Sequence, residues 1–535
     1  MAVRTGRKNL IDRSMQKKRN RSTAVESILV QRLFWDLQRC SQEQFTRQDR
    51  LVVECVFVGK QADSSNERMS IHVVRSLKQS TKDIRILWFS VFIRMISFGL
   101  TNQILTLYLI ELGISEKKIG IFMSLTLIGD SIISYLLTWN STKLGFKFIM
   151  LLGSILMIVA SGVFASGTSN FHLLLFAAIV GVISPSGSET GPFKTIEETV
   201  LANLTPPNHR PEVYAIHWIL GSIGASIGSF LAGLIVDYLT LTKNYQKIHA
   251  YKFAFGVLVF TSFLKFISLL FVSRKVEPDY IPPYKQVTYD STNNEIADES
   301  QNSIQTNTSN ASSERRPLIR IESTIEHTTM TGLSPTTQRT LFKLLVPFMI
   351  DSFGWGFMTN AWVVYYFAQR YKVSAIALGI LFGIAGLAMS VSALPSAWFA
   401  KKFGPIKSSI LTQIPCGLFF ISIPILGKNF PIAATLFMLN QLTVAFDVVP
   451  RQIILTSLIE PVELAKVMGT VNIGKQIARS ISPFTTGFFA EAGLLWVCFI
   501  LSGGFLILAN IILAVDFNDL DGKVKQLEEV NHDIA

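Results

Sequence analysis

The chain is short of charge. Only 16% of its 535 residues are Asp, Glu, Lys or Arg, where a soluble domain carries about 25%. It is also short of cysteine, with four. Cys40 and Cys55 lie in a basic leading segment, and Cys416 and Cys498 in apolar stretches, a scatter with neither metal-ligand spacing nor a disulfide framework. No His or Cys cluster falls inside the apolar segments, so a membrane-embedded enzyme has little support and no metal or cofactor is expected. The absence of a Gly-x-x-x-x-Gly-Lys-Ser/Thr loop argues against direct ATP hydrolysis. No apolar core followed by a small-residue cleavage site opens the chain, which excludes a secretory leader of ordinary form. No compact soluble segment is left to present a basic face, so nucleic acid is not an expected partner in spite of the net charge of +12.

What is present is apolar sequence in long runs. The composition is 49% hydrophobic and the mean hydropathy is +0.39. A bilayer-spanning helix needs roughly 20 mainly apolar residues. Twelve such stretches can be marked, near 86–110, 117–139, 147–167, 170–188, 212–239 and 251–273, then near 341–368, 375–399, 406–427, 430–449, 465–489 and 493–516. The expected fold is therefore an all-α polytopic membrane protein, with about twelve transmembrane helices in two six-helix halves.

The two halves repeat one another. Ser115-x-x-x-Ile119-Gly120-Ile121 recurs about 259 positions later as Ser374-x-x-x-Leu378-Gly379-Ile380. Trp139 through Lys143-Leu144-Gly145 is matched in the same register by Trp398 through Lys402-Phe403-Gly404. Ser226-Ile227-x-x-Phe230-x-x-Gly233-x-x-x-Asp237 is matched by Ser480-Ile481-x-x-Phe484-x-x-Gly487-x-x-x-Glu491. Paired membrane repeats point to a transporter with its site between them.

Lys143, Lys147, Arg210, Arg274, Lys275, Lys401, Lys402, Lys407 and Arg451 gather in one set of loops. The positive-inside bias places those loops and both termini in the cytosol. The domain division expected is a basic, disordered extension over 1–83, six helices over 84–275, a disordered Ser- and Asn-rich linker over 276–338, six helices over 339–516 and a tail over 517–535. Met69 offers a second start within the basic extension.

Charges inside the spans mark candidate sites, since each costs roughly 2.5–3.5 kcal/mol on insertion scales and needs a partner or a cavity. Arg94 in the first span and Asp130 in the second lie at similar depth and can meet, either as a gate or as a static bridge. Asp351, about ten residues into the seventh span, is the sharpest candidate. A lone carboxyl group in hydrocarbon favours its neutral form, which suits proton coupling; pairing with Arg94 or Arg479 is the alternative. Aligning Leu201 with Leu455 sets Glu197 against Arg451 and Glu198 against Gln452. Opposite charges there can close a cytosolic gate, with Glu189, Asp447 and Arg479 in the same network. Thr101-Asn102 and Thr359-Asn360 match between the halves as candidate solute contacts, or as bonds between helices. His217 reads as a helix-contact residue. Gly224-x-x-x-Gly228 and Gly379-x-x-x-Gly383 allow close helix approach.

These features together resemble the major facilitator superfamily. Its loop signature, Gly-x-x-x-Asp-Arg-x-Gly-Arg-Arg, is echoed by Thr142-Lys143-Leu144-Gly145-Phe146-Lys147, where Lys143, Gly145 and Lys147 match in type and the acid is replaced by Thr142. Leu127-Ile128-Gly129-Asp130, the segment from Ser184 to Phe193, and Asp447-Val448-Val449-Pro450-Arg451-Gln452 resemble a branch found in microbes and fungi. The resemblance implies alternating access between rocking halves, packing of the fifth span on the eighth across them, and no enzyme activity. The function expected is secondary transport of a small solute, with protons and the lipid bilayer as further partners and a monomer as the working unit. The rival reading is a membrane sensor of the same fold that signals through the linker. Plasma membrane and vacuolar membrane both remain open as locations.

Overall fold

The computed structural model describes residues 80–181, 183, 192–206, 209–277, 279, 334–392, 395–459 and 461–522. The basic extension to residue 79, most of the linker, the last thirteen residues from 523, and Glu189 lie outside the described residues. No strand occurs among the described residues.

The first half comprises α1 (Lys82–Glu111), α2 (Glu116–Trp139), a short α3 (Ser141–Leu144), α4 (Phe146–Ser166), α5 (Phe171–Val180), α6 (Pro192–Leu204), α7 (Arg210–Asp237) and α8 (Lys247–Leu270). The second comprises α9 (Pro335–Phe357), α10 (Asn360–Tyr371), α11 (Ala375–Ser392), a short α12 (Ser396–Phe403), α13 (Pro405–Leu426), α14 (Phe430–Val444), α15 (Val448–Leu458), α16 (Pro461–Glu491) and α17 (Leu495–Asp516). Ten spans among the described residues are long and apolar enough to cross a bilayer. The α5–α6 pass and α16, which carries Lys475 and Arg479, complete the twelve.

Several boundaries differ from the sequence expectation. The fourth span is not one helix over 170–188. Its α5 ends at Val180, with Gly181 as the C-cap, and α6 begins at Pro192. The seventh span breaks at Met358-Thr359. The carbonyls freed near that break are taken by α16: Ser482 Oγ donates to Phe353 O and Thr486 Oγ1 to Phe357 O, the latter at 2.8 Å. This is how interrupted backbone is tolerated at membrane depth. Ser334 caps α9 with Pro335 at its first position, so residues 335–338 belong to the helix rather than to the linker.

The halves are built alike. In the first, α1 packs on α7 and α8, and α4 on α8; in the second, α9 packs on α16 and α17, and α13 on α17. Between them, α7 packs on α11 and α2 on α16. The apolar core follows the same plan. One large cluster joins both halves around Tyr108, Phe122, Trp362 and Phe499. Two smaller clusters, around Leu87 and Val200 in the first half and around Leu344 and Val467 in the second, stay separate. The shared cluster lies at the end away from the described termini, and the separate ones at the end where α1 begins and α17 finishes. The bundle is closed on the far side and divided on the terminal side.

Small residues make that closure. A Cβ added at Gly120 of α2 would stand 2.5 Å from the Pro483 carbonyl oxygen and 2.7 Å from Gly487 Cα on α16. Gly379 of α11 meets the Ser229 carbonyl of α7 in the same way. Gly224 and Gly228, however, face α1 within their own half, so they are not part of the seam between halves. Polar contacts add to it. The amides of Ala375 and Ile376 donate to the Asp237 carboxylate at 3.1 and 2.9 Å, and Tyr365 Oη donates to Glu116 at 2.9 Å.

On the terminal side the signature loop is a capping device. Gly145 has φ +85° and Gly404, its repeat partner, φ +88°, a region that favours glycine. Glu277 accepts from the Phe146 amide at 2.8 Å, and Asp521 from the amides of Ile406 and Lys407 at 2.8 and 3.1 Å. An acid from the end of each half thus stabilises the start of α4 or α13. Lys147 Nζ donates to the carbonyls of Leu270 and Val272 at the end of α8, while Lys143 is exposed.

Candidate functional site

Among the described residues, two charge clusters sit inside the bundle, one in each half. In the first, α1 brings Arg94, α6 brings Glu197 and α8 brings Lys265. Arg94 Nη2 donates to Glu197 Oε2 at 2.6 Å, and Lys265 Nζ lies 3.6 Å from Glu197 Oε1. Ser90 Oγ donates to the same carboxylate at 3.4 Å. Glu197 has no exposed surface and Lys265 only 1%. His217 of α7 is close enough to act on Glu197 electrostatically. One carboxylate therefore stands between two cations.

The second cluster inverts the signs. Arg451 of α15 donates through Nη1 to Asp351 Oδ2 of α9 at 2.6 Å, and its Nε contacts Asp447. Asp447 closes the 3-10 turn Ala445–Asp447 between α14 and α15, one helical turn before Arg451, and it also accepts from Ser409 Oγ at 2.6 Å. One guanidinium thus stands between two carboxylates. The 3-10 turn interrupts this pass between α14 and α15.

These pairings replace several expectations. Asp351 is not a lone carboxylate, because Arg451 engages it within its own half. Glu197 and Arg451 are each engaged within their own halves, by Arg94 and by Asp351, rather than with each other across a mouth. Arg451 is a span residue at 17% side-chain exposure, so it leaves the tally of loop cations that orients the chain. Arg94 has Glu197 as a partner, a residue the sequence reading set at the cytosolic gate, and Asp130 is buried on α2. Glu198 is half-buried, and its carbonyl accepts from Tyr214 Oη at 2.8 Å. Arg479 lies on α16 within electrostatic reach of Asp351.

A cavity of about 330 Å³ opens beside the second cluster. Asp351, Asp447 and Arg451 line it, with Lys475 and Asn472 of α16 and Trp355 of α9. The matched Thr-Asn pairs do not. Thr101, Asn102 and Thr359 are buried in the closed side, at 4%, 5% and 2% exposure, and Asn360 is half-buried at the start of α10. Thr101 Oγ1 donates to Ser97 O at 2.9 Å, and Thr359 contacts Met123 of the other half. Lys265 and Lys475 were not singled out by the sequence. The signal was available, since a lysine in an apolar span carries the same cost as Arg94.

The repeat-related halves, the interrupted fourth, seventh and tenth passes, and the single closed side define the architecture. The sequence pattern of the Major Facilitator Superfamily matches residues 87–368 and 344–530. The chain belongs to that superfamily. Among superfamily-like proteins, a membrane protein of Saccharomyces cerevisiae described as uncharacterized, YJR124C, is 42% identical over 459 residues, covering 86% of this chain and 99% of its own length. The fold is shared with a POT family transporter solved in complex with 5-aminolevulinic acid, at TM-score 0.59 and 14% identity over 82% of this chain and 96% of that one. It is shared also with a D-xylose-proton symporter, at TM-score 0.57 and 13% identity over 80% and 97%. As a superfamily member the chain is a multi-pass membrane protein of transporter type.

Proposed function

We propose that this chain is a secondary transporter that moves a small solute by alternating access, with both termini in the cytosol and coupling to protons through Asp351. The observation that carries the reading is the asymmetry of the bundle: one side is sealed by backbone-close contacts between halves, while charged groups line a cavity on the other. A site reached from one side at a time is what alternating access requires. The loop cations that remain after Arg451 is removed, among them exposed Lys143, Lys401 and Lys402, support a cytosolic terminal side. The conformation described would then be open to the cytosol.

Asp351 is suited to coupling because its ionised form is held by a cation that also serves a second acid. Protonating Asp351 would release Arg451 to Asp447 alone, and a change of pairing is the kind of two-state element that a bound proton can bias. That a D-xylose-proton symporter shares the fold supports proton coupling as a mode open to this architecture.

The test compares solute profiles of cells producing the full chain, as wild type and as Asp351→Asn, at matched membrane levels and two external pH values. A solute displaced by wild type in a pH-dependent way, with the dependence lost in Asp351→Asn, is expected. Equal displacement by both variants keeps transport and removes Asp351 from coupling. No solute displaced by wild type rejects transport in favour of a sensor.

A further inference from the structure

The cavity beside Asp351 holds its charges in balance. Among the described residues, its lining sets Asp351 and Asp447 against Arg451 and Lys475. Arg451 contacts both carboxylates, and that triad alone is anionic by one charge. Lys475 supplies the charge that restores zero, and both carboxylates act on its ammonium. The two cations share the Phe348 ring, with the Arg451 guanidinium 5.4 Å and the Lys475 Nζ 5.9 Å from its centroid. Lys475 therefore belongs to the same group as the triad.

Beside that group the lining is neutral. The α9 helix presents Phe348, Asp351 and Trp355, and α16 presents Met468, Val471, Asn472 and Lys475. Spacings of three and four place each set on one helix face. Asn472 is exposed, and among the described residues its side-chain amide makes no hydrogen bond. Asp351 and Asp447, by contrast, are buried. The lining thus offers an incoming solute an uncharged amide, able to donate and to accept, and the half-buried indole of Trp355. A solute with a net charge gives up its hydration on entering such a space. A balanced lining returns no opposite charge for it, and at membrane depth that cost is high. A zwitterion would have to draw the carboxylates away from Arg451 and Lys475 to be held. An uncharged polar solute loses only hydrogen bonds to water, which an amide can replace.

We infer that the solute is an uncharged polar molecule, a hydroxyl- or amide-bearing compound that hydrogen-bonds to Asn472 and lays its apolar part against Trp355. The cavity volume of about 330 Å³ is at the small end of ligand pockets, which suits a metabolite-sized compound. This inference rests on the transport reading above. In the cycle it implies, Asn472 and Trp355 hold the solute, the charged group responds to the proton, and that proton is the only net charge carried across.

The experiment profiles the solutes of cells and medium, sorted by net charge at the working pH, for full-length wild type, Asn472→Leu and Asn472→Asp at matched membrane levels. The solutes that wild type displaces are expected to be uncharged, with displacement reduced by about threefold to tenfold in Asn472→Leu, the range for losing one neutral hydrogen bond. Asn472→Asp adds a negative charge to a balanced lining, so cationic solutes are expected to join the displaced set while the uncharged ones decline. Anions, cations or zwitterions displaced by wild type overturn the inference and leave transport standing. Uncharged solutes displaced equally by wild type and Asn472→Leu overturn the contact with Asn472. A solute set in Asn472→Asp identical to that of wild type overturns the argument from charge balance. The wild-type profile decides the solute class without any variant, so an Asn472→Leu protein that fails to reach the membrane does not block the test, and Asn472→Asp then reports on the residue. No displacement of any solute by wild type defeats the transport reading and this inference together.

Discussion

Arg94 and Asp351 lie within one residue of equivalent positions in the two repeats and make the same bond with opposite sign. Arg94 reaches Glu197 on the fourth pass at 2.6 Å, and Asp351 is reached by Arg451 on the tenth pass at 2.6 Å. The partners are repeat-related as well, so a single geometry has been kept while its polarity was exchanged. The flanking charges follow suit: Lys265 is a second cation in the first half, and Asp447 a second acid in the other. Each half holds its interrupted pass to its first helix with a buried pair. Such a pair contributes little net stability when intact and costs much when halved.

Glu197→Gln is therefore expected to be the most damaging single change in the first half. It leaves Arg94 and Lys265 buried without their shared carboxylate, at a cost of about 3–5 kcal/mol. Arg94→Met is expected to cost less, because Lys265 remains to hold Glu197. Thermal unfolding of the purified protein in detergent measures both. Equal losses would show that Lys265 does not share the charge.

Much of this was legible in the sequence, and the part that was not has a physical cause. Arg94, Asp351, Glu197 and Arg451 stand out as charges in or beside apolar runs, and the repeat register pairs Glu197 with Arg451 and sets Asp351 within one residue of the match to Arg94. Their partners were not readable, because sequence gives depth along a helix but not the direction a side chain takes around it. The α5–α6 and α14–α15 interruptions decide that direction. Lys265 escaped notice because it lies five residues from the end of α8, where a lysine usually extends to the interface; here α8 turns it inward onto Glu197. Lys475 escaped because α16 is the most polar pass and one more charge does not stand out. Of the matched Thr-Asn pairs, Thr359 stands at the N-cap position of a new helix, whereas Thr101 lies inside a continuous one.

Asp521→Ala is expected to loosen the start of α13 without touching the charge clusters. It removes the acceptor for two amides, those of Ile406 and Lys407, at a cost of about 1 kcal/mol for a lost cap. Hydrogen exchange should quicken at the first turn of α13 and stay unchanged at α4, where Glu277 does the corresponding work. Faster exchange at both would indicate that the two caps are coupled through the bundle.

Asp237→Ala is expected to weaken the closed side selectively. The carboxylate accepts the first two amides of α11 from across the interface, combining a helix cap with a charge at the positive end of a helix. Losing it should cost the closed arrangement about 1–2 kcal/mol, which is a shift of roughly fivefold to thirtyfold toward the separated one. Spin labels on the far ends of α7 and α11 would report a growing long-distance population. An unchanged distance distribution would mean that the glycine seam alone sets the closure.

Gly120→Leu tests that seam directly and should act more strongly. The space beside Gly120 is occupied by the backbone of α16 at Pro483 and Gly487, and neither a carbonyl oxygen nor a Cα can rotate aside as a side chain would. Closing α2 onto α16 with a leucine there requires the helices to part, and overpacking of this kind costs about 1–3 kcal/mol. The separated arrangement of the far side avoids the clash altogether, so the variant is expected to accumulate there rather than to unfold. Labels on α2 and α16 should move apart, a thiol placed in the closed-side core near Trp362 should become reachable from the far side, and solute movement should fall because the closed state is no longer visited. Gly487→Leu approaches the same contact from the opposite helix and should give the same result. If either variant kept its short distance and its transport, the backbone contact at Gly120 would not be what holds the two halves together.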